Sequence, residues 1–241
     1  AQGEPSPDML ARARRLREWL VREGVSKYGA GGAATLPRNG GDRRHLLVVG
    51  QVEDDRSVQF GGGAVQSNLE LLRRVRAIAP DAWIVYRPHP DVEAGHRRGA
   101  IPAPVALDLA DEIDPGSPIS ALIAMVDEVH VITSLAGFEA LLHGKAVTTH
   151  GMPFFAGWGL TTDLGPSLPR RNASLTIDGL AAGVLLQYPR YLDPVTNLPC
   201  TAEILVMRLI SGVQRRNVAL VPLRRLVGWA KRAMAQTLGN R

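Results

Sequence analysis

Apolar positions along this chain follow two rhythms. Over residues 8–23, DMLARARRLREWLVRE, Leu10, Ala13, Leu16, Leu20 and Val21 recur near helical spacing with charges between them, which predicts an amphipathic helix. The next stretch, SKYGAGGAATLPRNGGDRR, has no period and reads as a Gly-rich linker. From Leu46 the pattern changes: LLVVGQV is a short continuous apolar run ending at a glycine, as expected of a strand covered on both faces. SNLELLRRVRAIAP predicts a helix stopped by Pro80, WIVYRPHP a second strand, ISALIAMV a helix and EVHVITS a third strand. LAGFEALLHG predicts a helix closed by Gly144, KAVTTHG a fourth strand, and SLTIDGLAAGVLLQY one more helix. Strands alternating with helices form βαβ units, so the expected fold class is α/β: a Rossmann-like parallel sheet with helices on both faces. The expected organisation is an N-terminal helix and linker at 1–44, the Rossmann-like domain at 45–190 and a C-terminal segment at 191–241.

Composition narrows the class. With 241 residues, 45% of them apolar, the chain can bury a core without covalent staples, and the single cysteine, Cys200, excludes a disulfide scaffold and suits a reducing compartment. No apolar run is long enough to predict a spanning helix, and the opening AQGEPSPDML lacks the basic-then-apolar order of a signal peptide. That opening also lacks Met, so the sequence reads as part of a longer chain. The net charge of +5 is uneven: after Glu203 come eight basic residues and no acid, which leaves the body net acidic. A helix begun at Leu223 sets Leu223, Leu226, Val227, Ala230 and Met234 on one face and Arg224, Arg225, Lys231 and Arg232 on another. Two readings stand side by side: an interfacial helix on an anionic membrane surface, or a terminal helix packed on the body with a basic outer face. Nucleic acid is not an expected partner, because the body is acidic and no recognition motif frames the basic cluster.

In parallel α/β sheets, ligands sit beyond the carboxyl ends of the strands. Nearly all the suggestive polar residues fall there. Gln51-Val52-Glu53-Asp54-Asp55-Arg56-Ser57 follows the first strand, Arg87-Pro88-His89-Pro90-Asp91 the second, Thr133-Ser134 the third and His150-Gly151-Met152-Pro153 the fourth. The acidic run is a solvated turn, a metal site or the source of a nucleophile or base. His89 between two prolines has a rigid backbone that presents the ring in one direction, suited with Arg87 to a phosphate; a surface turn is the alternative. Thr133 and Ser134 open a helix whose first amides favour an anion, and Glu139 lies one turn further in, within reach of ribose hydroxyls; simple N-capping by Ser134 is the plainer reading. Phe154, Phe155 and Trp158 either pack as a plug or shape a base or sugar pocket. No GxGxxG or GxxxxGK[ST] occurs, and His45, His96, His130 and His143 show no metal-ligand spacing, so they read as structural or surface.

Five segments in fixed order, GQVEDDRSVQFGGG, SNLELLRRVRA, YRPHPDVEAG, ITSLAGFEALLHGKAV and GMPFFAGWGLT, resemble the capsular polysaccharide biosynthesis proteins, retaining β-Kdo glycosyltransferases. GVSKYGAG before them and YLDPVTNLPCTAEI after them extend the resemblance over roughly residues 8–205. It implies the C-terminal, donor-binding lobe of a GT-B fold, with the domain at 45–190 binding a nucleotide sugar. The implied donor is CMP-Kdo and the implied acceptor a glycolipid or Kdo-terminated oligosaccharide, with no cofactor or metal. By the same resemblance Asp55 is the nucleophile and His89, with Thr133 and Ser134, binds the CMP phosphate. Glu139 holds the ribose, and Gln51, Glu53, Ser57, Arg87 and Trp158 complete the binding set. The acceptor lobe is expected elsewhere than in this stretch, and the expected location is cytoplasmic, peripheral at the inner membrane face. Arg87 stands where the family pattern leads one to expect Lys. Two other classes compete: a nucleotide-binding module that transfers nothing, and a GT-B-like nucleotide-sugar epimerase.

Overall fold

The computed structural model describes residues 5–26, 29–30, 35–171 and 173–212. Helix α1 (Pro7–Arg22) begins where Ser6 accepts the Met9 amide and Pro7 fills the first turn, followed by a hairpin of β1 (Val25–Ser26) and β2 (Gly29–Ala30). The main sheet starts at β3 (His45–Val49). After it come α2 (Arg56–Gly61), α3 (Asn68–Ile78) and β4 (Trp83–Arg87). Helices α4 (Pro90–Glu93) and α5 (Ala103–Leu107) lead to β5 (Glu112–Ile113), and α6 (Ile119–Met125) to β6 (Glu128–Val131). Helix α7 (Leu135–Leu142), β7 (Ala146–Thr149) and β8 (Thr162–Asp163) complete the sheet. Helix α8 (Ile177–Ala181) then widens into a π-helical segment at Ala182–Gln187, and β9 (Tyr191–Leu192), β10 (Pro199–Cys200) and α9 (Ala202–Ile210) follow.

All six strands of the main sheet run parallel in the order β5-β4-β3-β6-β7-β8. The chain steps outward from β3 to β5, returns, and steps outward the other way from β6, so the order reverses between β3 and β6. Strand β3 explains its own sequence. Leu47 and Val49 enter one core with α6, α7, α8 and α1, while Leu46 and Val48 enter the other with α3 and α5. A central strand with two cores has no polar face, hence an unbroken apolar run. The edge strands β5 and β8 have two residues each, too few to show a period, and no sequence pattern announced them.

The amino ends of the strands are closed by charge pairs. Asp127 accepts the His45 amide at 2.8 Å and pairs with Arg38 at 2.6 Å. Asp111 accepts the Ile84 amide at 2.9 Å and pairs with Arg76 at 2.6 Å and Arg43 at 3.2 Å. Glu128, buried at the start of β6, pairs with Arg44 and accepts the Thr148 hydroxyl. From it a buried polar chain continues along the sheet: His130 Nε2 is 3.5 Å from Glu128, and His130 Nδ1 is 3.2 Å from His150 Nε2. Burial pushes both imidazoles down to about 4, so they are neutral at physiological pH.

Outside the sheet, α1 lies against α8 and α9 through Ala13 and Leu16 and through charge. Arg14 and Arg17 both reach Asp178 (2.8 and 2.9 Å), and Arg12 grips Glu203 with two bonds (2.7 and 2.9 Å). The basic amphipathic helix expected from Leu223 lies outside the described residues. Arg208, the first residue of that basic run, is in α9 and paired with Asp193 at 3.0 Å. Among the described residues no helix is long and apolar enough to cross a membrane.

Candidate functional site

A cleft of about 680 Å³ opens beyond the carboxyl ends of the sheet, at the point where the strand order reverses. Its two sides are clasped across that point by one side chain. Gln51, directly after β3, accepts the Thr133 amide at 2.8 Å through its Oε1 and donates from Nε2 to the Thr133 hydroxyl oxygen at 3.0 Å. Gln51 itself is fixed from behind: fully buried Asn68 accepts its amide at 2.8 Å and donates to its carbonyl at 2.8 Å. Asn68 is a positioning residue that the sequence pattern did not single out; its place at the head of α3 was the available signal.

Asp55 lines the cleft as N-cap of α2, with Oδ1 accepting both the amide and the hydroxyl of Ser57 at 2.8 Å. These bonds fix the carboxylate's orientation. His89 is the N-cap of α4, and its Nδ1 accepts the Asp91 amide at 3.1 Å. A ring nitrogen that accepts carries no proton, so the neutral ring is protonated at Nε2 and is a donor there. Arg87 donates to the Asp114 carbonyl at 3.0 Å, which ties β4 to the loop after β5.

Ser134 caps α7, accepting the Ala136 amide at 3.3 Å, and lines the cleft beside Thr133. The plain capping reading and the ligand reading are therefore compatible. Both hydroxyls act as acceptors in these bonds and keep their protons to donate. Glu139, further along α7, also lines the cleft.

The structure thus brings Gln51, Asp55, Ser57, Arg87, His89, Thr133, Ser134 and Glu139 to one cavity. It sets two other expected residues apart. Glu53 turns back to accept the Asn68 amide at 2.8 Å. Trp158 lies outside the cleft, its indole donating to the Phe154 carbonyl at 2.8 Å while its ring packs on the core. The three aromatics divide: Phe155 is buried as a plug, and Phe154 is 41% exposed beside a second groove. On the far wall, Gly116 and Ser117 line the cleft in a turn whose amides both bind Asp114 Oδ1, at 2.9 and 2.8 Å. That wall follows the two-residue β5, so nothing in the apolar pattern pointed to it. Arg97, also on the cleft, pairs with Asp54 at 3.3 Å. Among the described residues no group of three or more His, Cys, Asp or Glu is arranged to hold a metal ion.

Comparison with known proteins returns one consistent picture. A family model described as capsule polysaccharide biosynthesis protein matches residues 11–191. The capsule polysaccharide modification protein LipA of Neisseria meningitidis serogroup A is 43% identical over 211 residues, covering 86% of this chain and 30% of LipA. The lipopolysaccharide-processing protein LpsZ of Rhizobium meliloti is 42% identical over 198 residues, covering 81% of this chain and 44% of LpsZ. Two solved structures from Thermosulfurimonas dismutans superpose well. KpsC titled a beta Kdo 2,7 transferase gives a TM-score of 0.72 at 42% identity, covering 86% of this chain and 63% of that one. KpsC titled a beta Kdo 2,4 transferase gives 0.73 at 28% identity, covering 86% and 64%. The chain therefore spans less than half the length of either curated relative.

Proposed function

The chain belongs to the capsule polysaccharide biosynthesis protein family, and from that premise we propose that it carries the donor-binding lobe of a retaining β-Kdo transferase using CMP-Kdo. The observation that carries the reading is the convergence of a helix-capping carboxylate, an imidazole whose Nδ1 is held by a backbone amide, and two hydroxyls on one cleft at the reversal of strand order. The Kdo-transferase titles of the two KpsC structures support the same substrate class.

In this reading the Asp55 carboxylate attacks the anomeric carbon of Kdo while the bond from that carbon to the CMP phosphate oxygen breaks. The electron pair leaves with CMP, and the growing phosphate charge is met by His89 Nε2–H, Thr133 and Ser134. The acceptor hydroxyl then attacks the same carbon, Asp55 departs as carboxylate, and the hydroxyl proton passes to the released CMP phosphate, a monoester with a second pKa of about 6. Two inversions give net retention. Glu139 would accept from the ribose hydroxyls. The donor holds a single phosphate, so the chemistry is assigned to these side chains without a metal. Action at the inner face of the cytoplasmic membrane, through the basic tail, belongs to the same proposal.

Asp55→Ala tests the nucleophile. Kdo transfer should fall at least about 10³-fold, and the covalent Kdo adduct should vanish from mass spectra, while CMP affinity by calorimetry stays within about threefold of the parent. Undiminished turnover would remove Asp55 from the mechanism. UMP binding as tightly as CMP would favour the epimerase reading.

A further inference from the structure

The donor proposed above carries two negative charges, and the residues given roles so far meet one of them, the phosphate. The second is the carboxylate of Kdo, bonded directly to the anomeric carbon that Asp55 attacks in that reading. Three carboxylates already line the cleft, those of Asp55, Asp91 and Glu139, so a fourth would be repelled unless a cation met it. Among the described residues the cleft has two guanidinium groups. Arg87 donates to the Asp114 carbonyl at 3.0 Å and its charge is shared with the Asp114 carboxylate. Arg97 is the other.

The loop that carries Arg97, between α4 and α5, is fastened to the loop after β3 at several points. The Arg98 carbonyl accepts the Glu53 amide at 3.1 Å, the Gly99 carbonyl accepts Asn68 Nδ2 at 2.8 Å, and Arg97 Nε donates to Asp54 Oδ1 at 3.3 Å. The approach is closest at Gly99, where φ is +125° and a Cβ would lie 2.7 Å from Asn68 Nδ2 and 2.9 Å from the Gln51 carbonyl oxygen. Buried Asn68 therefore braces Gln51 and the Arg97 loop together. The bond to Asp54 uses Nε alone. Among the described residues neither Nη of Arg97 makes a hydrogen bond, which leaves a planar pair of donors whose geometry matches a carboxylate. Both members of the Asp54 pair are exposed, and such pairs contribute little, so Asp54 orients the guanidinium without consuming it. Arg98, next in sequence and also exposed, does not line the cleft.

We propose that Arg97 binds the carboxylate of the donor sugar and so makes the cleft selective for acidic sugars. Asp54 stays on Nε, beside the residue that attacks, and the Nη edge takes the carboxylate as the sugar enters. A neutral sugar in the same place would leave that edge without its partner. The assignment rests on the CMP-Kdo reading and adds to it the group that reads the sugar rather than the nucleotide.

Calorimetry of the full chain with three probes tests it: CMP, CMP-3-fluoro-Kdo, whose fluorine slows departure of the phosphate, and the carboxamide of that analogue. The acid should bind the parent about tenfold more tightly than the carboxamide. Arg97→Gln should erase the preference, weakening the acid about tenfold while CMP and the carboxamide stay within about twofold. Arg98→Gln, which removes the adjacent charge outside the cleft, should leave all three affinities unchanged. A parent that does not distinguish acid from carboxamide would overturn the assignment, as would an Arg97→Gln chain that still does. Equal losses of CMP and acid on Arg97→Gln would overturn it in favour of a phosphate contact, and equal effects of the two substitutions would reduce it to long-range charge. Failure of the parent to bind CMP at all would instead sink the donor reading itself, and the Arg97 assignment with it, so the two failures are told apart.

Discussion

The two ends of the main sheet use polar residues in opposite ways. At the amino ends, Asp111, Asp127 and Glu128 each meet a guanidinium, and the first two also satisfy a strand amide, so their charge is consumed within the protein. At the carboxyl ends, Gln51, Asp55, His89, Thr133 and Ser134 are held by hydrogen bonds to neighbouring amides and hydroxyls. The first arrangement fixes strands and leaves nothing for a ligand. The second fixes the orientation of side chains that line the cleft. What marks a site in this fold is therefore how polar groups are satisfied, and the count of polar groups says little. The buried run Glu128–His130–His150 joins the two ends through the sheet.

Substitutions and pH should separate the two ends. The largest effect is expected from the joining histidines. Unfolded imidazoles protonate near 6.5 and the folded ones only at about 4, so the unfolded state binds more protons across that window. Stability is full above 6.5 and declines as the pH falls to 4, by on the order of 3 kcal/mol for each imidazole. Melting curves across that range should show the decline, and His150→Leu should flatten it by about half; an unchanged slope would mean the rings titrate normally. Next comes Asp111→Ala at the amino end. It strands Arg76, Arg43 and the Ile84 amide, and should cost about 2 kcal/mol, roughly 4–8 °C in Tm for a chain of this size, with CMP affinity intact. The smallest change is His89→Ala at the carboxyl end, which should weaken CMP about tenfold, close to 1.4 kcal/mol, at constant Tm. If His89→Ala lowered Tm as far as Asp111→Ala, the contrast between the ends would fail.

Much of this was legible in the sequence, for reasons that particular residues make plain. Strand β3 is covered on both faces and reads as an apolar run, β4, β6 and β7 are short and mostly buried, and the polar residues after each lie on one rim. Strands β5 and β8 make two-residue pairings whose information lies in the neighbouring strand, and with β5 went the Gly116–Ser117 wall of the cleft. Position on the rim also does not set direction. Glu53 and Asp55 are two residues apart, yet one turns inward to Asn68 and the other caps α2, because a loop lacks the fixed alternation of a strand. Trp158 followed the same rule, spending its indole N–H on a nearby carbonyl. The buried His130–His150 contact joins neighbouring strands, which no spacing along the chain encodes.

The place of β3 at the middle of the sheet also sets an order of assembly. Its partner β6 lies some eighty residues downstream, the separation bridged by the Gln51–Thr133 clasp. A chain emerging from the ribosome can pair β3 with β4 early, but one flank of its most apolar strand stays uncovered until β6 has been made. The cleft is thus completed late, and the exposed edge of Leu46–Val49 is where a chaperone would bind and where a stalled chain would aggregate. Refolding followed by hydrogen exchange should accordingly protect the β3–β4 amides before those of β6.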